Sequence, residues 1–131
     1  MASIFSKIVA GEIPCYKIAE DENYLAFLDV FPLKKGHTLV IPKKEVDQLF
    51  DLDKETYQGL MNFSYKVALA IKEAIPCNRV SVHVIGLEVP HAHVHLIPIN
   101  TMNDCNFANA KLKLSKEEME EVASKIKSVM K

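Results

Sequence analysis

Histidines alternate with small apolar residues between positions 91 and 95, in the order His-Ala-His-Val-His. Strict alternation is typical of a β-strand, because successive side chains of a strand point to opposite faces of its sheet. The pattern predicts a strand over residues 92–99, with the three histidines on one face and Ala92, Val94 and Leu96 on the other. The apolar face can pack beneath a helix. The fold of this chain must therefore bury one side of the strand against its core and carry the three imidazoles on the other side.

Four further strands and three helices are predicted around this strand. The strands cover residues 15–19, 24–29, 37–41 and 79–85, and the helices cover residues 3–10, about 57–75 and the C-terminal residues after 115. Asp51 or Asp53 caps the long helix, which ends before Pro76, and Ser115 with Glu118 forms a capping box for the last helix. The strand connections are too short for crossovers, which predicts an α+β fold with a mainly antiparallel sheet, a long central helix and a C-terminal helix.

Length, charge and cysteine content limit the classes of function. A chain of 131 residues fits a single domain over residues 1–131, since domains most often have about 100–150 residues. The formal net charge of −1 argues against a nucleic-acid binder, whereas a small anionic substrate remains open. Three scattered cysteines indicate neither a disulfide framework nor a thiolate zinc site and fit a reducing compartment. No apolar run approaches the roughly 18 residues of a membrane span, so we expect a cytoplasmic protein without membrane contact.

The residues alone allow three interpretations of the histidine run. The histidines can be ordinary polar residues on the hydrated face of a half-exposed sheet, although Thr, Lys or Glu would serve there equally well. They can be metal ligands, since imidazole binds Zn, Cu, Fe and Ni. His91 and His95 are too far apart to share one ion easily, however, and further ligands would have to come from Asp29, His37, Glu88 or a cysteine.

The third interpretation is covalent catalysis at a phosphorus centre. A neutral imidazole, with an ordinary pKa of about 6.5, is a competent nucleophile at pH 7. One histidine can attack phosphorus while its neighbours hold the non-bridging oxygens and protonate the leaving group. This scheme requires no metal ion and no cofactor, and His37, at the start of another predicted strand, can join the three histidines.

Four segments of the chain carry a family resemblance. Residues 91–98 match an H-x-H-x-H motif with apolar residues between the histidines. Together with residues 4–14, 26–32 and 36–43, this motif resembles the histidine triad (HIT) family, in particular its nucleotide-binding, phosphoramidase-like branch. The resemblance covers roughly residues 3–100. It implies a HIT-like fold and a homodimer in which the central helices and the edge strands of two sheets meet.

The resemblance also implies roles for four histidines. His93 attacks the α-phosphorus of a nucleotide and forms a nucleotidyl-histidine intermediate, which water then hydrolyses. His91 orients His93, and His95 holds a phosphate oxygen. His37 completes the charge network around His91.

A nucleotide pocket is implied in the same way. Asp29 accepts hydrogen bonds from both ribose hydroxyls, a bidentate arrangement that suits one carboxylate. An alternative is that Asp29 is only a turn residue before Pro32. Phe27 and Ile8 form the apolar base pocket together with Phe5, which can instead serve to anchor the first helix.

Two departures from the family pattern lie close to the triad. Family members usually place Gln followed by Ser or Thr before the first triad histidine, whereas this chain has Leu87 and Glu88 there. The phosphate-side Asn of the family falls on His83. An ionised Glu88 opposes a phosphate at close range but can accept a hydrogen bond from a cationic leaving group. The N-terminal cysteine and histidine zinc set of some members is absent.

The implied activity is nucleotidyl transfer to water from purine nucleoside phosphoramidates or similar AMP conjugates, as a metal-independent hydrolase. Two alternatives stay open. One is a non-catalytic, nucleotide-binding interaction protein that has kept the pocket and lost turnover. The other is a dinucleoside polyphosphate hydrolase.

Overall fold

A five-stranded sheet runs through the centre of the computed structural model, which describes residues 2–131. Its strands are β1 (Lys17–Glu20), β2 (Tyr24–Leu28), β3 (Thr38–Pro42), β4 (Arg79–His83) and β5 (Val94–Ile99). They are ordered β1-β2-β3-β5-β4, and every neighbouring pair is antiparallel. The predicted α+β class and antiparallel sheet are confirmed.

Three α-helices accompany the sheet: α1 (Ile4–Val9), α2 (Lys54–Ala74) and α3 (Lys116–Ser128). Asp53 caps α2 by accepting a hydrogen bond from the N–H of Thr56, whereas Asp51 lies in a short 3₁₀ helix just before it. α3 begins at the predicted capping box of Ser115 and Glu118. Within residues 2–131, no helix combines the length and the apolar character that crossing a membrane requires.

β5, which contains the last histidine of the run, begins at Val94, two residues later than predicted. The N–H of Ala92 donates to the carbonyl oxygen of Val46 at 2.7 Å, and pairing with β3 starts only at Val94. Other strand ends differ from the prediction by one or two residues. The end of a strand depends on hydrogen-bond partners from distant parts of the chain, and a local sequence pattern carries no information about those partners.

The two faces of the sheet carry different sets of side chains. On one face, α2 and α3 pack in a cluster that includes Ala92, Val94 and Leu96. On the other face, Phe5 of α1 packs against Phe27 in a second, smaller cluster. The predicted alternation is therefore confirmed, since the apolar members of the run lie beneath helices and the histidines lie on the face that α1 partly covers.

Candidate active site

The histidines of the run lie in the interior of the protein. The exposed fractions of His91, His93 and His95 are 0%, 6% and 9%, and that of His37 is 1%. The ring of Phe5 stands edge-on to His91 and His93, with centroid distances of 5.9 and 5.0 Å. The interpretation of these residues as a hydrated sheet face is therefore wrong. Because burial removes water from the imidazoles, each ring nitrogen that is enclosed needs a protein partner.

His93 is oriented by the main chain. Its Nδ1 lies 2.6 Å from the carbonyl oxygen of His91. A carbonyl oxygen can only accept, so Nδ1 carries the proton and Nε2 keeps its lone pair. Burial lowers the pKa of His93 from its ordinary value of 6.5, and the bond to the His91 carbonyl opposes that shift. His93 is consequently neutral at pH 7, with a nucleophilic nitrogen at Nε2.

His91 is fixed between β3 and the start of α1. Its Nε2 donates to the carbonyl oxygen of Pro42 at 2.8 Å, and its Nδ1 lies 2.8 Å from Oγ of Ser3. The carboxylate of Glu45 accepts from the N–H of Ser3 and from the hydroxyl of Ser6, both at 2.6 Å. No sequence pattern reveals this clamp, because Ser3 shows only the signal of a helix cap and nothing local connects it with a histidine 88 positions later.

His37 lies against His95. The N–H of Leu33 donates to Nδ1 of His37 at 3.0 Å, so the proton of the neutral ring is on Nε2. That Nε2 donates to Nδ1 of His95 at 3.0 Å, which leaves His95 with its proton on Nε2. The prediction that His37 supports His91 is wrong: antiparallel β3 and β5 pair Leu39 with His95, which brings His37 close to the far end of the run.

Burial keeps this pair of histidines uncharged. It lowers the pKa of His37 to about 3 and that of His95 to about 3, and neighbouring histidines together with Lys111 push in the same direction. His95 therefore offers a neutral Nε2–H donor at pH 7. The rings of His93 and His95 stand at a centroid distance of 4.9 Å, so the ring with the free lone pair and the ring with the N–H donor are direct neighbours.

Asp29 follows β2 directly and reaches the same face. One carboxylate oxygen accepts from the N–H of Phe31 at 2.9 Å, and the other lies 3.5 Å from Nε2 of His37. Burial raises the pKa of Asp29 above its ordinary value, and the Phe31 N–H and the charge of Lys111 oppose the shift. Its side chain is 18% exposed. Asp29 thus makes the side-chain to main-chain hydrogen bond that is typical of a turn residue, and its carboxylate is also accessible beside the histidines.

The three predicted base-pocket residues share the cluster on the histidine face. Phe5 and Phe27 are buried and meet edge-to-face at a centroid distance of 5.6 Å, whereas Ile8 is partly exposed and packs against them. Phe5 does more than anchor α1, because it also contacts His91 and His93.

The outer end of the site carries the residues that depart from the family pattern. Leu87 is 90% exposed, and Glu88 is exposed as well. The negative charge of Glu88 acts to raise the pKa of both His93 and Asp29. His83 is the register partner of His95 at the end of β4.

Phe107 was not predicted to belong to the site. Its ring stands edge-on to His95 at 5.0 Å, to His83 at 5.4 Å and to His37 at 6.3 Å. It comes from the polar loop after β5, a segment without periodicity or a motif. Only the return of that loop across the sheet face brings it to the histidines.

Asp29, His37 and His95 also form a group that could hold a metal ion, with one ligand atom from each within 4.8 Å of the others. Two hydrogen bonds compete with metal binding by these histidines. Nδ1 of His37 accepts from Leu33, and Nδ1 of His95 accepts from His37. A metal ion at this place would have to displace the proton that links the two imidazoles.

Comparison with known proteins finds relatives along nearly the whole chain. The HIT domain profile matches residues 10–102. An adenosine 5′-monophosphoramidase of Schizosaccharomyces pombe is 38% identical over 133 positions, which cover 97% of this chain and 100% of that protein. A crystal structure of a Hit-like protein from Bartonella henselae superposes with a TM-score of 0.84 at 34% identity and covers 96% of this chain and 95% of its own. A zinc-bound histidine triad family protein from Mycobacterium smegmatis gives 0.83 at 29% identity, with coverages of 98% and 92%.

Proposed function

This chain belongs to the HIT family, and we propose that it is a nucleotidyl hydrolase that acts on purine nucleoside phosphoramidates or related AMP conjugates without a metal ion. The observation that carries the proposal is the fixed pair of proton positions on His93 and His95. His93 presents a lone pair at Nε2 because its other nitrogen donates to the His91 carbonyl. His95 presents an N–H at Nε2 because its other nitrogen accepts from His37.

The two imidazoles support a two-step displacement. Nε2 of His93 attacks the α-phosphorus, the bond from phosphorus to the amine breaks, and the amine leaves with a proton taken up at the opening. His95 Nε2–H donates to a non-bridging oxygen as negative charge builds there. The positive charge that develops on His93 is stabilised through its Nδ1–H bond to the His91 carbonyl. Water then attacks the same phosphorus, the bond to Nε2 breaks, AMP and a neutral His93 are formed, and the proton lost by the water is released to solvent, which balances the proton taken up by the amine.

The ribose and base contacts rest on the surroundings of Asp29 and α1. We propose that the accessible carboxylate of Asp29 binds the ribose hydroxyls and that the base lies against Ile8, over Phe27 and Phe5. The similarity to a fission yeast adenosine 5′-monophosphoramidase over nearly the full length of both chains supports an adenosine conjugate as the substrate class.

We also propose that the protein forms a homodimer through β4 and α2. β4 is an edge strand, and its Val82 is 52% exposed, while Tyr65 and Leu69 of α2 are 66% and 54% exposed. Exposed apolar side chains beside an unpaired strand edge are typical of an interface. In sedimentation, the wild type should be a dimer and Tyr65→Glu a monomer. Phe50→Glu, at another exposed aromatic residue, should remain a dimer, and a monomeric wild type would contradict the assignment.

Three measurements on the wild type test the function. Hydrolysis of adenosine 5′-phosphoramidate, hydrolysis of a diadenosine polyphosphate and the affinity for AMP are compared under one set of conditions. We expect kcat/KM to be much higher for the phosphoramidate. Tight AMP binding without turnover of either substrate would support the non-catalytic binding protein, and preferential turnover of the diadenosine compound would support the polyphosphate hydrolase.

A further inference from the structure

The loop after β5 folds back over the phosphate end of the site. The N–H of Leu112 donates to the carbonyl oxygen of Pro32 at 2.8 Å, and Lys34 pairs with Asp104 at 3.6 Å. Between these two contacts, Phe107 lies across His95 and the neighbouring histidines. The loop is therefore held against the segment that follows Asp29 and forms one wall of the opening.

Lys111 carries a positive charge on this wall. Its Nζ donates to the carbonyl oxygens of Phe107 and Asn109 at 2.7 and 3.3 Å, and it lies 5.9 Å from the centre of the Phe107 ring. An ammonium group has three N–H donors, and these two bonds leave one for another acceptor. The Phe107 ring that Lys111 lies beside is itself 5.0 Å from the ring of His95, and the positive charge of Lys111 acts to lower the pKa of Asp29, His37 and His95.

Two of the buried imidazoles offer a phosphate no positive charge at pH 7. His37 and His95 are neutral at pH 7, because burial lowers the pKa of each to about 3. The exposed Glu88 acts as a negative charge on His93 and Asp29, and an ionised carboxylate opposes an anion. A positive charge at the phosphate must therefore come from a residue other than His37 and His95.

We propose that Lys111 binds the non-bridging phosphate oxygens of a nucleotide whose phosphate is held by His95, and that Phe107 positions the lysine for this contact. The inference rests on the proposed function, since it assumes a nucleotide at the triad. It assigns to a residue outside the H-x-H-x-H motif the recognition of phosphate charge. Lys111 then distinguishes nucleotides from nucleosides, whereas Asp29 and the base pocket recognise both.

Calorimetric titrations with AMP and with adenosine test the assignment. Lys111→Met keeps the apolar stem of the side chain and removes the charge. We expect it to weaken AMP binding about tenfold, near the lower end for hydrogen bonds to a charged group, and to change adenosine binding by less than about twofold. Lys111→Arg should restore most of the AMP affinity. Lys113→Met, at an exposed lysine two positions further along, should behave as the wild type.

Salt dependence gives a second readout. AMP affinity of the wild type should fall more steeply with ionic strength than that of Lys111→Met, because salt screens an exposed charge pair. Unchanged AMP affinity in Lys111→Met, or an equal loss for AMP and adenosine, would overturn the role of Lys111 and leave the proposed function standing. A wild type that binds neither ligand would overturn the proposed function and this inference with it.

Discussion

The inner and outer ends of the active site are built from different kinds of contact. At the inner end, His93 donates to a main-chain carbonyl, His91 donates to the carbonyl of Pro42, and His37 accepts from a main-chain N–H. At the outer end, Glu88 and Lys111 are exposed. Main-chain partners are set by the fold, whereas exposed side chains can change without disturbing it. We therefore propose that the fold fixes the geometry of attack and that the exposed rim residues select the substrate.

The largest expected effect is at the inner end. His93→Ala should lower kcat by at least about 10³-fold, since it removes the nucleophile of a covalent mechanism. AMP affinity should stay within about tenfold, because binding rests mainly on Asp29 and the base pocket. Steady-state kinetics and AMP titration measure the two effects separately. A variant with full activity would remove His93 from the mechanism.

Asp29 lies between the two ends. Its substitution tests whether this turn residue also binds substrate. Asp29→Ala should weaken nucleotide binding by about 1.5–3 kcal/mol, the range of hydrogen bonds to a charged group. A 2′,3′-dideoxy analogue should bind the wild type poorly and lose nothing more in the variant. Equal affinity of the wild type for both nucleotides would leave Asp29 with only its bond to the Phe31 N–H.

The neutral histidine pair predicts how stability depends on pH. His37 and His95 have folded-state pKa values of about 3, below the ordinary value of 6.5. As the pH falls below 6.5, the unfolded chain binds protons that the folded protein does not, so the free energy of unfolding decreases until about pH 3. The slope should reach about 1.4 kcal/mol per pH unit for each histidine.

His37→Gln isolates one contribution to that slope. Denaturant unfolding between pH 7 and pH 4 should show a shallower decrease in the variant than in the wild type, by up to about 1.4 kcal/mol per pH unit. Parallel curves for the two proteins would contradict the account of His37 as a buried, neutral donor.

At the outer end, Glu88 is expected to influence the leaving group. We propose that its carboxylate accepts from a cationic amine and so favours such substrates. Glu88→Ser should lower kcat/KM several-fold for a lysine-linked AMP conjugate and leave a neutral-amine conjugate nearly unchanged, since surface charge pairs contribute about 0–1 kcal/mol. An equal change for both substrates would show that Glu88 plays no part in choosing the leaving group.

The smallest expected effect is that of metal removal. Dialysis against a strong chelator should leave kcat and the melting temperature unchanged, because the ring nitrogens of His37 and His95 that face each other already share a proton. Loss of activity that zinc restores would instead assign Asp29, His37 and His95 as metal ligands.

Local sequence patterns predicted the strands of the sheet and the face on which each residue of the histidine run lies. They predicted the residues that surround the site less completely. The period of two assigned each residue of the run to its face, and the cap residues Asp53 and Ser115 set two helix starts. The contacts of His37 and Phe107 depend on strand register and on a loop that returns over long distances. Neither register nor loop path is encoded in a periodicity, so the partner of His37 was assigned wrongly and Phe107 was missed.

The central claim is that His93 carries the nucleotide during turnover. Wild-type protein is mixed with adenosine 5′-phosphoramidate labelled at phosphorus, quenched within milliseconds, and digested for localisation of the label by mass spectrometry. The label should be acid-labile and alkali-stable, should lie on the peptide that contains His93, and should be absent from His93→Ala. Label on any other residue, or equal labelling of the His93→Ala variant, would contradict this claim.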